Sequence, residues 1–243
     1  MKNLIGVILI LLLVGATAGA LLSLQKRFSG NLGWNTNYTW SKCMNDGEAG
    51  QDITNQYPDP DNRRSNHGPC SLDRASIINS SLILESPRIG SGLLSSITGG
   101  WQLSTIFNFQ SGNPLSVTSP GDLALIGTGG QRAIQVGDPH LDNPTIDRWF
   151  NTAAFTPNTP GVWGNVGRNS MRGPKAWNFD TSFSRRFQVT EKQRIELRAE
   201  AFNILNHFNP GDPTTAINSS NFGKITSTGR DPRIMQFAVK YGF

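Results

Sequence analysis

Apolar and polar residues alternate along MQFAVKYGF: Met235, Phe237, Val239, Tyr241 and Phe243 take one side, and Gln236, Ala238, Lys240 and Gly242 the other. Successive side chains of an extended strand point to opposite faces. A period of two held over about ten residues therefore dictates a strand with one apolar face. The pattern recurs. NLGWNTNYTW sets Leu32, Trp34, Thr36, Tyr38 and Trp40 against Asn31, Gly33, Asn35, Asn37 and Thr39. WQLSTIFNFQ sets Trp101, Leu103, Thr105, Phe107 and Phe109 against Gln102, Ser104, Asn108 and Gln110, with Ile106 out of phase. WNFDTSFSRRFQV opposes Trp177, Phe179, Thr181, Phe183, Phe187 and Val189 to Asn178, Asp180, Ser182, Ser184, Arg186 and Gln188. RIELRAEAF opposes Ile195, Leu197, Ala199 and Ala201 to Arg194, Glu196, Arg198 and Glu200. Leu21–Ser29 and Ala75–Glu85 alternate less cleanly, so seven strands are expected in all.

A soluble sandwich would also alternate, but these strands are long. A strand crossing a membrane needs ~9–11 residues, whereas soluble strands run ~5–6. The apolar faces also carry aromatics near both ends, Trp34 with Trp40 and Trp177 with Phe187, as the two interface girdles of a membrane barrel would require. The connections alternate in length. Ser29-Gly30-Asn31, residues 86–97 and QVTEK are short, whereas 43–74, 119–175 and 207–232 are long and rich in Gly, Pro and Asn. Outer-membrane barrels pair short periplasmic turns with long outer loops in this way. The strand Met235, Phe237, Val239, Tyr241, Phe243 is then lipid-facing, and it resembles the assembly signal read by the barrel-assembly machinery.

Composition agrees with strands and polar loops. Hydrophobic content is 37%, charged content 16%, and the chain of 243 residues holds 26 Gly and 14 Pro. The net charge is +5, but Lys and Arg are scattered among acids rather than gathered into a stripe, so no nucleic-acid partner is expected. No Ser-His-Asp order, phosphate loop or paired-carboxylate motif stands out, and the chain is not expected to be an enzyme or to carry a cofactor. His67, His140 and His207 lie far apart, as solvated loop histidines. Cys43 and Cys70 fit no metal spacing; in an exported chain they would pair across the first long loop, and as free thiols they would carry no role.

MKNLIGVILILLLVGATAGA has one Lys, an apolar run from Leu4 to Val14, then the small-residue pattern Ala18-Gly19-Ala20. This is the layout of a secretory signal peptide over residues 1–20, with a membrane anchor as the other reading. Either sends the chain along the export route.

GGWQLSTIFNFQSGNPLSVTS, NPTIDRWFNTAAFTPNTPGVWGNVGRNSMRGPKAWNFDTSFSRRFQVTEKQRIELRAEAFNILNHFNP and FGKITSTGRDPRIMQFAVKYGF resemble the C-terminal end of TonB-dependent outer-membrane receptors of the Oar-like type. SLQKRFSGNLGWNTNYTWSK is similar to a hairpin of the same barrel. The likeness covers roughly residues 22–243. It implies a barrel of about 22 strands, closed by a plug domain and taking up large or scarce nutrients with inner-membrane energy. No plug, TonB-contacting or regulatory segment is seen in this chain. Seven strands also cannot close a bacterial barrel, where the number is even and starts at eight.

The expected fold is therefore all-β: an antiparallel transmembrane β-barrel section of about seven strands, an incomplete barrel, after an N-terminal signal-like helix. The expected partners are outer-membrane lipid, the barrel-assembly machinery, and the remaining strands and plug if supplied elsewhere. The expected place is the bacterial outer membrane. Competing readings are a small structural or adhesive barrel that closes by self-association, a secreted β-sandwich hydrolase or lectin, and a remnant without function. Asp180, Arg186, Arg194, Glu196, Arg198 and Glu200 are expected to pair across strands on the interior face. Asp46, Asp52, Asp59 and Asp61 lack EF-hand spacing and read as a solvated loop, and Trp149, Phe150 and Phe155 as packing of the third loop against itself.

Overall fold

The computed structural model describes residues 5–14, 17–47, 62–125, 127 and 131–243. Eight long strands form one antiparallel sheet in chain order: β1 (Ile5–Val14), β2 (Thr17–Ser29), β3 (Leu32–Asn45), β4 (Ser76–Glu85), β5 (Trp101–Gln110), β6 (Ala176–Gln188), β7 (Arg194–Phe202) and β8 (Ile234–Gly242). Each strand pairs with its neighbours in sequence, so the topology is an up-and-down meander. Among the described residues β1 and β8 do not pair with each other, and the sheet is open.

The count of eight corrects the expected seven, and the additional strand is the segment expected as a signal-like helix. Ile5–Val14 pairs with β2 from Ile5↔Lys26 to Val14↔Thr17 without a break. The run IGVILILLLV is rich in β-branched residues, which suit a pleated surface, and β2 offers it an edge of unpaired backbone groups. Uniformly apolar runs carry no period, so the same residues satisfy helix and strand alike.

From β2 onward, every short turn lies at one end of the sheet. Gly30 and Asn31 join β2 to β3 with φ of 58° and 68°, the left-handed pair that a two-residue hairpin needs. Residues 86–100 join β4 to β5 and contain the single-turn helix α1 (Leu93–Thr98). Residues 189–193 join β6 to β7. The long connections, 46–75, 111–175 and 203–233, all lie at the other end.

The hydrophobic core sits among these long loops and not against the sheet. Val117, Ala133, Phe150, Ala154, Phe155 and Val166 are buried together, and Trp149, Met171, Ile217 and Phe222 pack against them. Phe222 meets Phe150 and Phe155 edge-on, with centroids 5.2 and 6.3 Å away. The second and third long loops thus share one core, and hydrogen bonds and an ion pair join the first loop to them as one cap.

Candidate functional site: two faces of the sheet and a cross-latched cap

Register fixes which residues share a face. Tyr38, Ile78, Phe109 and Trp177 form one row across β3 to β6, and Phe187, Ile195 and Tyr241 form another near the short-turn end. Met235, Phe237, Val239 and Tyr241 continue this apolar face onto β8. Phe237 and Val239 are 77% and 75% exposed, and no protein layer covers them. A contiguous apolar face of this extent demands an apolar solvent. Two of the polar groups on it satisfy each other, since the Thr36 and Ser80 hydroxyls lie 2.6 Å apart and Trp34 Nε1 donates to Ser80 Oγ, whereas the Thr181 hydroxyl is buried without a partner among the described residues.

Arg185 stands on this apolar face, a position the alternation pattern passes over. It pairs across β5 with Trp101 and across β7 with Leu197. Its guanidinium lies 4.8 Å from the Trp101 ring and 4.5 Å from the Phe187 ring, and Trp101 in turn stacks on Phe183. Near the short-turn end, aromatic rings sheathe the charge and leave it within reach of lipid headgroups.

The opposite face is polar. Asn37, Asn79, Asn108 and Asn178 stand in one cross-strand row, with Ser23 extending it onto β2. The charges gather on β6 to β8. Arg186 Nε donates to Glu196 at 3.2 Å, Arg198 Nη2 to Glu196 at 2.5 Å, and Arg198 Nη1 to Glu200 at 3.5 Å. Gln236 donates to Glu200, and Asn178 donates to Asp180. Four of the six interior charges expected from the sequence, Arg186, Glu196, Arg198 and Glu200, therefore meet as one network; Asp180 accepts instead from Asn178 and Asn203 N, and Arg194 lies against Gly242. Apolar residues break the polar rule on the edge strand: Ile8 and Ile10 share this face and are 56% and 43% exposed. Where the network meets the third loop, Asn178, Asn203, Arg230, Asp231 and Gln236 line an open cavity of about 670 Å³.

Four side chains of the second long loop fasten it to the first. Arg168 donates to the carbonyls of Asn45, Asn66 and Gly68. Asn169 Nδ2 donates to Pro69 O at 2.7 Å. Arg172 pairs with Asp73, whose side chain is 1% exposed. Arg132 reaches Ser65 O at 2.9 Å through Nη2, whereas its Nε and Nη1 are buried without an acceptor. Burial, and then the charge of Arg168, lower the pKa of Arg132. Cys43 and Cys70 are joined by a disulfide with Cα atoms 5.4 Å apart, and this fixes the first loop to the end of β3. The third loop joins through Thr118 N donating to Thr215 O and Trp149 N donating to Gly223 O. None of these latches follows from local sequence, because the partners lie up to 123 residues apart.

His67 Nδ1 and Asp46 Oδ1 lie 2.6 Å apart in the first loop, and His207 stacks on Trp177 with centroids 3.9 Å apart. His140 lies on the cap surface. Asp52, Asp59 and Asp61 lie outside the described residues. Phe150 and Phe155 do pack the loop against itself. Trp149 only half does: one side leans on the core, and the other lines a cleft of about 460 Å³ with His140, Met171 and Arg172.

A model of the outer membrane beta barrel domain family matches residues 18–236, which takes in β2 to β7 and the start of β8. The chain matches no curated protein and no solved structure. By the extent of that match the chain belongs to the outer membrane beta barrel domain family, whose members reside in the bacterial outer membrane.

Proposed function

We propose that the chain is the C-terminal barrel section of a TonB-dependent, Oar-like nutrient receptor, and that it does not transport on its own. The observation carrying this reading is the open sheet. Among the described residues β1 pairs only with β2 and β8 only with β7, so each presents a row of backbone groups along its outer edge. In hydrocarbon each unsatisfied group costs several kcal/mol, and only closure removes the edges. Further strands of a larger barrel would complete both edges. A larger barrel would also place the polar face and its ion-pair network against an aqueous lumen or a plug. The partners on this reading are outer-membrane lipid, the barrel-assembly machinery, the completing strands and the plug. It assigns no catalysis and no nucleic acid. Residues 1–20 serve export in this proposal.

The test is uptake by cells whose receptor is replaced by this chain alone. No uptake driven by inner-membrane energy is expected, and sustained uptake overturns the proposal.

A second reading is a small structural or adhesive barrel that closes on itself or by association of copies. One observation favours it. Eight is the lowest strand number of bacterial barrels, and in an eight-strand meander the two edge strands run antiparallel, as pairing requires. A heat-modifiable band that migrates as a monomer at every protein concentration supports self-closure; failure to form one supports the larger barrel.

A further inference from the structure

We infer that the cleft beside Trp149 is a binding site for a small ring-bearing carboxylate. Its walls are Leu141, Pro144, Trp149 and Met171, and its volume of about 460 Å³ falls within the range of small-molecule sites. The backbone around it is fixed. Trp149 Nε1 donates to Arg172 O at 2.9 Å, Trp149 N to Gly223 O at 2.8 Å, and Asn151 N to Pro139 O at 2.9 Å. The ring of Trp149 is thereby held with its edge anchored and its face available for stacking.

The polar groups of the cleft are all able to donate. The His140 imidazole makes no hydrogen bond to the described residues, and neither does the Ser170 hydroxyl. Arg172 spends Nη1 and Nη2 donors on Asp73 O and Oδ2, so three of its five N–H groups remain. No carboxylate lines the cleft. Apolar walls select a ring, and the N–H groups that Arg172 keeps beyond its pairing with Asp73, together with the His140 and Ser170 donors, select an acceptor that carries charge. The cleft belongs to the cap alone, so the inference stands whether or not the strands are part of a transporter.

Titration calorimetry of the detergent-solubilised full chain with indole-3-acetate tests it. Saturable binding with a Kd of about 1 mM or tighter is expected for a ligand of that size. Indole-3-acetamide, which keeps the ring and loses the charge, should bind roughly fivefold more weakly. His140→Ala removes a donor that holds nothing else in place and should weaken indole-3-acetate binding. Ser170→Phe fills the cleft while leaving its walls intact, and should abolish binding. Absence of saturable binding to the unaltered chain overturns the inference, as does equal binding by Ser170→Phe. These readouts are independent of uptake.

Discussion

Asp73 and Arg172 show how much of the cap depends on single side chains. The Asp73 carboxylate is buried and also accepts from Cys43 N at 2.8 Å, so it connects the disulfide to the second loop. Removing Arg172 leaves that carboxylate without its cation. Arg172→Ala should cost the cap about 2–3 kcal/mol, read as earlier cleavage of loops 46–75 and 111–175 by trypsin across a urea series. The disulfide spans 27 residues, and its loss by Cys43→Ser with Cys70→Ser should cost about 3 kcal/mol in the chain-entropy account. That change should raise protease sensitivity in the first loop while β6 to β8 stay protected. Gly112 marks where the second loop leaves the sheet. A Cβ there would lie 1.8 Å from Gly173 O, at the loop's return. Gly112→Ala should therefore prevent the loop's two ends from meeting, seen as loss of the folded band on a semi-native gel. The sequence offers the Cys43–Cys70 pairing as one of two readings and carries little warning of the rest. Arg132, Arg168 and Arg172 look like three more basic residues in a polar loop until the fold brings carbonyls from about 100 positions away against them.

At the level of the strand, legibility follows period. Where alternation is strict, as in β3, β7 and β8, or broken only at Ile106 as in β5, the sequence places both the strand and its lipid face, because a slip of one residue would exchange the faces. β4, with Ile77 and Ile83 on the polar face and Ser80 on the apolar one, is readable only beside its neighbours. β1 is the strand that sequence reading assigns elsewhere, since an uninterrupted apolar run has no face to choose. Its two roles give different products. If residues 1–20 are removed on export, N-terminal sequencing of the mature chain in outer-membrane fractions should begin at Leu21, and the sheet then loses β1 and the start of β2. If β1 stays in the sheet, the mature chain should still contain Ile5–Val14. β8 tests the opposite edge. Its apolar side is the most exposed in the sheet, with Phe243 96% exposed just beyond it. Replacing Tyr241 and Phe243 by Ala should lower the fraction of chain recovered folded in the outer membrane severalfold, and replacing Lys240, on the polar face, should not.

Taken whole, the molecule inverts the layout of a soluble β protein. Among the described residues no protein layer covers either side of the sheet, and the buried aromatics lie beyond its end in the loops. The long outer connections were legible as loops from their Gly, Pro and Asn content. Their assembly into one cap, with its own core, was not, because no short-range period encodes it. The latches are also unevenly distributed. They tie the loops that follow β3, β5 and β7, and so hold β3 to β8 together at the long-loop end, whereas none of the latches described involves β1 or β2. The molecule thus has a mechanical grain. Under a pulling force applied from its N-terminal end, β1 and then β2 would unzip singly at low load. The remaining six strands would resist as one unit until a latch or the Cys43–Cys70 bond gave way.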